Sequence, residues 1–138
     1  MSSEAFIWNY RDGEPIGFDY GVVRSILSTY DTAWLDEDGC LRVQFRDPSD
    51  SVDIFLGRDA RTTNHVDGIM ISRPILHPEF LQKVFRVMQL GDAMLFYSDE
   101  TTPVLVRGAD SAQYPSDLLK QLGDPRYVAS PAELLHQT

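Results

Sequence analysis

Apolar and polar residues alternate with a period of two along several stretches of the chain, which is the pattern of a half-buried β-strand. The clearest example is 40–46, where Leu41, Val43 and Phe45 alternate with polar residues. Clusters of Gly, Pro, Asp and Ser separate these stretches and predict turns. The pattern predicts strands over 4–10, 32–36, 40–46, 51–57 and 66–73, and a further hairpin formed by 93–98 and 103–108.

Two other stretches repeat their apolar residues at intervals of three and four, which is the spacing of one helix face. The first follows Asp19, a suitable N-cap, and the second begins at Pro78, a residue favoured at the first helical position. We predict helices over 19–30 and 78–90, the second of them ended by Gly91. Their apolar faces have the same spacing, offset by 58 residues: Val22, Val23, Ile26, Leu27 and Tyr30, then Phe80, Leu81, Val84, Phe85 and Met88.

Each helix is preceded by a strand and followed by a hairpin with an acidic tip. This order predicts a single α+β domain over 1–138, with a mainly antiparallel sheet and two main helices packed on one face. It is consistent with two β-α-β-β units related by a pseudo-twofold, followed by short C-terminal helices. The polar segment 58–65 lacks periodicity and is interpreted as a loop. The face of the sheet without helices is either solvated or an interaction surface.

Composition narrows the classes of function. The formal net charge is −9, which argues against a nucleic-acid partner because phosphates would repel the chain. Cys40 is the single cysteine, so no intramolecular disulfide is expected, as suits a reducing compartment. The sequence shows neither a secretory signal nor an apolar run of the ~20 residues that a membrane helix needs. We therefore expect a cytoplasmic protein without a membrane partner.

No catalytic motif is present. The serines lack a nucleophile elbow, and there is no phosphate-binding or dinucleotide fingerprint, so we expect neither catalytic residues nor a cofactor. The stretch from Asp36 lacks two of the features that the EF-hand pattern needs, and His65 with Asp67 is too small a ligand set for a metal. We expect no metal site and no enzymatic activity.

The stretch "WLDEDG" places three consecutive carboxylates beside Gly39. A hairpin turn explains the glycine, which can adopt a positive φ, but it does not require three acids. The acids contribute either to solubility alone or to a surface that meets a basic partner. Asp53 is also expected opposite an arginine of the neighbouring strand. The partner-binding residues that we predict are Trp34, Asp36, Glu37, Asp38, Asp50 and Asp53.

The acidic turns "DEDG" and "DPSD" and the strand pattern "CLRVQFR" stand in a small, acidic, single-domain chain. In these features the chain resembles the small cytoplasmic immunity proteins of bacterial toxin systems. The resemblance implies a non-catalytic protein that neutralises a cognate toxin by direct binding, with a basic toxin domain as its partner. One alternative is a structural or adaptor protein that forms a homo-oligomer, such as a homodimer, through the same sheet. Another is a small-ligand binder or enzyme, which a pocket gathering Arg58, Arg61, His65 and Asp67 would favour.

Overall fold

The structure is a computed structural model that describes residues 4–29, 32–34, 39–45, 51–72, 77–98, 102–122 and 125–135. Its elements in chain order are β1 (Glu4–Arg11), β2 (Glu14–Pro15), β3 (Phe18–Asp19), α1 (Tyr20–Leu27), β4 (Ala33–Trp34), β5 (Cys40–Gln44), β6 (Ser51–Phe55), α2 (Ala60–Thr63), β7 (His65–Val66), β8 (Ile69–Ser72), α3 (Pro78–Met88), β9 (Asp92–Tyr97), β10 (Val104–Val106), α4 (Ser116–Leu122) and β11 (Arg126–Val128). Two 3₁₀ turns, Ser111–Gln113 and Pro131–Leu135, flank α4 and β11. The predicted α+β class is confirmed.

Nine of the described strands form one sheet in the order β11-β10-β9-β1-β8-β6-β5-β4, with β2 paired to β1. Neighbours are antiparallel except β10 and β11, which run parallel. The predicted hairpins β4–β5–β6 and β9–β10 are confirmed, whereas β11 was not predicted. Strands β3 and β7 form a separate pair. After α1 the chain continues as β4 at one edge of the sheet, and β5 and β6 follow toward the centre. After α3 it continues as β9 beside β1, and β10 follows toward the other edge. The pseudo-twofold stays a prediction.

The two main helices pack against each other on one face of the sheet, as predicted. Lys83 of α3 ties them together, because its Nζ donates to the carbonyl oxygens of Ile26 (3.2 Å) and Ser28 (2.9 Å) at the end of α1. These carbonyls lack partners inside their helix, so a cation there satisfies them and complements the helix dipole. Between helices and sheet lies a core of fully buried aliphatic side chains, including Leu27 and Ile54.

The helix starts follow the sequence closely. The Asp19 carboxylate accepts from the Val22 amide at 2.9 Å, and Nδ1 of His77 accepts from the Glu79 amide at 3.2 Å. The helix ends differ from the prediction. Helix α1 stops at Leu27, and Val22 is 44% exposed instead of facing the core. Gly91 does not adopt the left-handed cap conformation; a Cβ there would come too close to the buried Asn9 side chain, which would have to shift.

The prediction that 58–65 is entirely a loop was wrong. Thr63 donates its hydroxyl to the Asp59 carbonyl at 2.8 Å, and Asn64 adopts a left-handed φ of 56°. These local bonds close the short helix α2 and turn the chain into β7. None of the helices in the described parts of the chain is long and apolar enough to cross a membrane.

Candidate functional site

The face of the sheet opposite α1 and α3 carries a second, smaller hydrophobic cluster at one end. There Tyr114 and Leu118, from the segment that includes α4, pack with Tyr10, Met94 and Leu105. Among the described residues, neither hydrophobic cluster includes Phe6, Phe55 or Met70. The part of this face formed by β1, β8, β6 and β5, with Phe96 of β9 at its border, is called the open face below.

Strand register lines up four large apolar side chains across the open face. Phe96 is the Cα partner of Phe6, Phe6 of Met70, and Met70 of Phe55. All four side chains are half-buried. The Phe6 and Phe96 rings stack with centroids 5.3 Å apart. This apolar row crosses four adjacent strands, and the half-buried Trp8, two residues after Phe6 on the same face of β1, lies beside it, so these side chains form a contiguous apolar surface.

A polar row lies beside the apolar row, one pleat along the strands. Its members are paired as Glu4 with Ser72, Ser72 with Asp53, and Asp53 with Arg42. Nε of Arg42 donates to Oδ1 of Asp53 at 3.1 Å, so the predicted pairing of Asp53 with an arginine is confirmed. The hydrogen bond to Asp53, with the charge of that carboxylate, raises the pKa of Arg42.

The polar row contains a depression of about 330 Å³, lined by Arg42, Ser51, Asp53 and Ser72. At the other end of the row, Oε2 of Glu4 accepts from the Ser98 hydroxyl at 3.1 Å. A carboxylate has about four acceptor positions, so both Glu4 and Asp53 retain capacity for a further donor. The open face therefore combines an apolar row with two carboxylates on one side of it.

The structure separates the two described members of the predicted partner-binding set. Trp34 is the Cα partner of Leu41, which is buried beneath the helices, so Trp34 lies on the helix side of the sheet and Asp53 on the open face. Trp34 meets the Tyr20 ring edge-on, and the Arg61 guanidinium lies 4.8 Å above it. The other predicted members, Asp36, Glu37, Asp38 and Asp50, lie outside the described residues.

Gly39, at the end of the acidic stretch, behaves as predicted. Its φ is +84°, and a Cβ would overlap the Gly57 carbonyl. Its own carbonyl accepts from the Leu56 amide at 2.8 Å. Turn geometry and close backbone packing thus account for the glycine, while the function of the acids before it stays a prediction.

A cleft of about 360 Å³ gathers three of the four residues named for a ligand site, Arg58, His65 and Asp67, with Arg61 placed instead over Trp34. Nε2 of His65 lies 3.2 Å from Oδ1 of Asp67, but these side chains are 48% and 92% exposed. Over the described part of the chain, no group of three or more His, Cys, Asp or Glu residues could hold a metal ion. Gly68 lines this cleft and also lies beneath the Trp8 ring, so the cleft borders the open face.

Sequence reasoning missed the apolar row, although a signal for it exists. Where only one face of a strand is buried, apolar and polar residues alternate cleanly. The strand sequences "AFIW", "IMI", "DIFL" and "MLFY" instead place large apolar residues on both faces. Such runs indicate that the second face also meets apolar atoms, either of the same chain or of a partner.

Comparisons with models of protein families, with curated proteins and with solved structures find no match to this chain. The geometry of the open face is therefore the basis of the functional proposal.

Proposed function

We propose that the chain is a cytoplasmic, non-catalytic protein-binding module that holds a basic protein domain against its open face. In the manner of the immunity proteins that it resembles in sequence, it would neutralise a cognate bacterial toxin by covering the toxin's active surface. The observation that carries the proposal is the apolar row of Phe96, Phe6, Met70 and Phe55. Aromatic residues and methionine are enriched at protein interfaces, where they act as anchors.

Charge favours a basic partner over a second copy of the chain. The formal net charge of −9 would make two copies repel each other, whereas a basic domain would be attracted and steered during its approach. The stretch from Asp31 to Asp59 holds eight acids and three bases, so the attraction would be strongest near it. We propose that Asp36, Glu37, Asp38 and Asp50 act through this attraction and that Asp53 acts by direct contact.

The partner can be identified by cross-linking from the open face. A photoreactive amino acid placed at Phe55 should capture a partner in extract of the source organism, and the same amino acid at Val22 provides the control. Val22 is an apolar residue, 44% exposed, on the first turn of α1 and away from the open face. The captured protein is then purified and its affinity measured for the wild type and for the Met70→Glu and Val22→Glu variants.

We expect Met70→Glu to weaken binding at least about tenfold, because a carboxylate in the apolar row would be desolvated without a partner. Val22→Glu should leave binding unchanged. Equal affinity of all three proteins would overturn the proposal. Self-association of the wild type that Met70→Glu abolishes would assign the open face to a homo-oligomer instead.

The cleft beside the open face supports a second candidate, a small-ligand binder. The observation that favours it is the gathering of Arg58, His65 and Asp67 around one concavity. A screen of small anions and cations by thermal shift would test it, with the Asp67→Asn variant as the control. A ligand that stabilises the wild type and not Asp67→Asn would favour this candidate.

A further inference from the structure

We infer that the partner element held on the open face is an amphipathic α-helix, laid across the strands, with basic residues along one flank. This inference rests on the proposed function, because it names the chemistry and secondary structure of what the open face binds. Three features of the face lead to it. A sheet face offers no free backbone hydrogen-bonding groups to a partner segment, and the spacing of the apolar row and the spacing of the two carboxylates both match a helix.

A sheet face presents side chains, since the backbone N–H and C=O groups of its strands are paired within the sheet. An extended partner segment lying on Phe6 and Met70 would bury its own backbone groups without hydrogen bonds, which is costly. An extended segment binds instead at a sheet edge. The described edges are short, because β4 has two residues and β11 has three. The backbone groups of a helix are hydrogen-bonded within the helix, so a helix can lie on an apolar row without leaving those groups unpaired.

The spacing of the apolar row suits one stripe of a helix. Adjacent strands lie about 4.8 Å apart, so the row from Phe96 to Phe55 spans about 14 Å over three intervals. Successive turns of a helix lie about 5.4 Å apart, so apolar side chains on consecutive turns stay within about 1 Å of the row's spacing over two turns. A helix of about three turns would therefore place one apolar anchor beside each pair of neighbouring row members.

The carboxylates set the charge of the helix flank. Glu4 and Asp53 are separated by one strand, with Ser72 between them, which places them roughly 10 Å apart. Two residues on one flank of a helix, two turns apart, are separated by about 10.8 Å. The depression at Asp53 offers room for the end of a lysine or arginine side chain. Arg42 ends the row, so a third basic residue beyond Asp53 would be repelled.

The test uses synthetic peptides as probes. The first peptide is a three-to-four-turn helix with leucines on consecutive turns and two lysines, two turns apart, on one flank. The second has the same composition in scrambled order, and the third carries glutamates in place of the two lysines. Each peptide is labelled with a fluorophore, and its binding is measured by anisotropy at low salt and at physiological salt.

The first peptide should bind the wild type and lose at least about tenfold in affinity against Met70→Glu. Its affinity should fall several-fold against Glu4→Lys and stay unchanged against Glu14→Lys, the same charge change at an exposed position on β2. The second and third peptides should bind more weakly than the first. Absence of binding by the first peptide, equal binding by the scrambled one, or equal losses in Glu4→Lys and Glu14→Lys would overturn the inference.

The two proposals can fail separately. If the purified partner depends on Met70 but cross-links to the open face through a loop or a strand, the helix inference falls and the proposed function stands. If the partner is insensitive to Met70→Glu, the proposed function falls as well. Circular dichroism checks that each variant is folded, and Met70→Ala replaces Met70→Glu if the latter is not.

Discussion

The two faces of the central sheet are built from alternating residues of the same strands, and they differ in what covers them. In β6, Val52 and Ile54 point toward the helices and are 1% and 0% exposed, whereas Ser51, Asp53 and Phe55 point away and are half-buried. Helices α1 and α3 cover the face to which Val52 and Ile54 point. A single strand thus supplies one residue set to the core and the other to a surface.

On the sheet face opposite α1 and α3, called the second face below, two residues of one strand differ in burial because only one end of the face is covered. Met94 of β9 is fully buried in the cluster that Tyr114 and Leu118 complete, whereas Phe96, two residues later on the same face, only packs against the edge of that cluster, is half-buried and borders the open face. The chain therefore covers this face at one end with its own segment. A partner on the open face would provide the same kind of cover to Phe6, Met70 and Phe55.

The largest effect should come from comparing neighbours that point to opposite faces. Ile54→Ala should lower the free energy of unfolding by about 2–5 kcal/mol, because it leaves a cavity in a closed core. Phe55→Ala should lower it by only about 1–2 kcal/mol, since the Phe55 side chain is already partly exposed and its removal opens no closed cavity. Urea denaturation followed by fluorescence measures both. Similar losses in the two variants would mean that the open face is part of the folding core.

The covered end of the second face should respond to alkaline pH. Burial, with a smaller contribution from the charge of Asp92, raises the pKa of Tyr114. Its hydroxyl donates to the Ala93 carbonyl at 3.3 Å. The unfolded chain therefore ionises this tyrosine at a lower pH than the folded chain does. The contribution of Tyr114 to the free energy of unfolding is complete below pH about 10 and is lost as the pH rises further, by up to about 1.4 kcal/mol per pH unit.

Tyr114→Phe should thus show a shallower loss of stability than the wild type when urea midpoints are measured from pH about 9 to 11. Tyr20→Phe is the matched control, because Tyr20 is a partly buried tyrosine that packs against the helix-side core and lies outside the cluster around Tyr114. A slope that changes equally in both variants would show that the pH dependence is not specific to the burial of Tyr114.

Much of the fold could be predicted from the sequence because it is encoded locally. Helix α3 follows from the spacing of its apolar face and from Pro78 after His77, and the hairpin at Gly39 follows from turn chemistry. Local signals failed where long-range packing decides. Val22 fits the apolar spacing of α1, yet it lies outside the face that the sheet covers. Gly91 was predicted to end the helix by a left-handed cap, yet it has no left-handed φ, and its tight surroundings come from the distant Asn9 side chain.

The candidate site was less predictable, because strand order creates it. Phe6, Phe55, Met70 and Phe96 come from four separate parts of the chain, and only the register of β1, β6, β8 and β9 places them in a row. Trp34 shows that a residue's neighbours in sequence do not decide which face of the sheet it lies on. It is an aromatic residue next to acidic ones in sequence, yet the pleat turns its ring toward α1 and α2. A period of two assigns residues to alternating faces, but it does not say which face stays uncovered.

The polar row should matter for recognition far more than for stability. Asp53→Asn removes one charge of the Arg42–Asp53 pair, whose side chains are 51% and 35% exposed. Exposed pairs of this kind contribute little to folding, so the melting temperature should change hardly at all. Partner affinity, measured by titration calorimetry, should fall several-fold. A marked drop in melting temperature with unchanged affinity would make the pair a structural link of the sheet instead.

The smallest effect on stability should come from charge reversal at Asp36 and Asp38. We expect the Asp36→Lys, Asp38→Lys double variant to keep its melting temperature, within the roughly ±0.5 kcal/mol usual for surface changes. Its association with the partner should be slower than that of the wild type, most clearly at low salt, where the Debye length is longest. Surface plasmon resonance at two ionic strengths measures this, with Glu14→Lys as an exposed control on β2. Equal association rates at both ionic strengths would assign the acidic stretch to solubility alone, and recognition would then depend on the open face without long-range attraction from these two carboxylates.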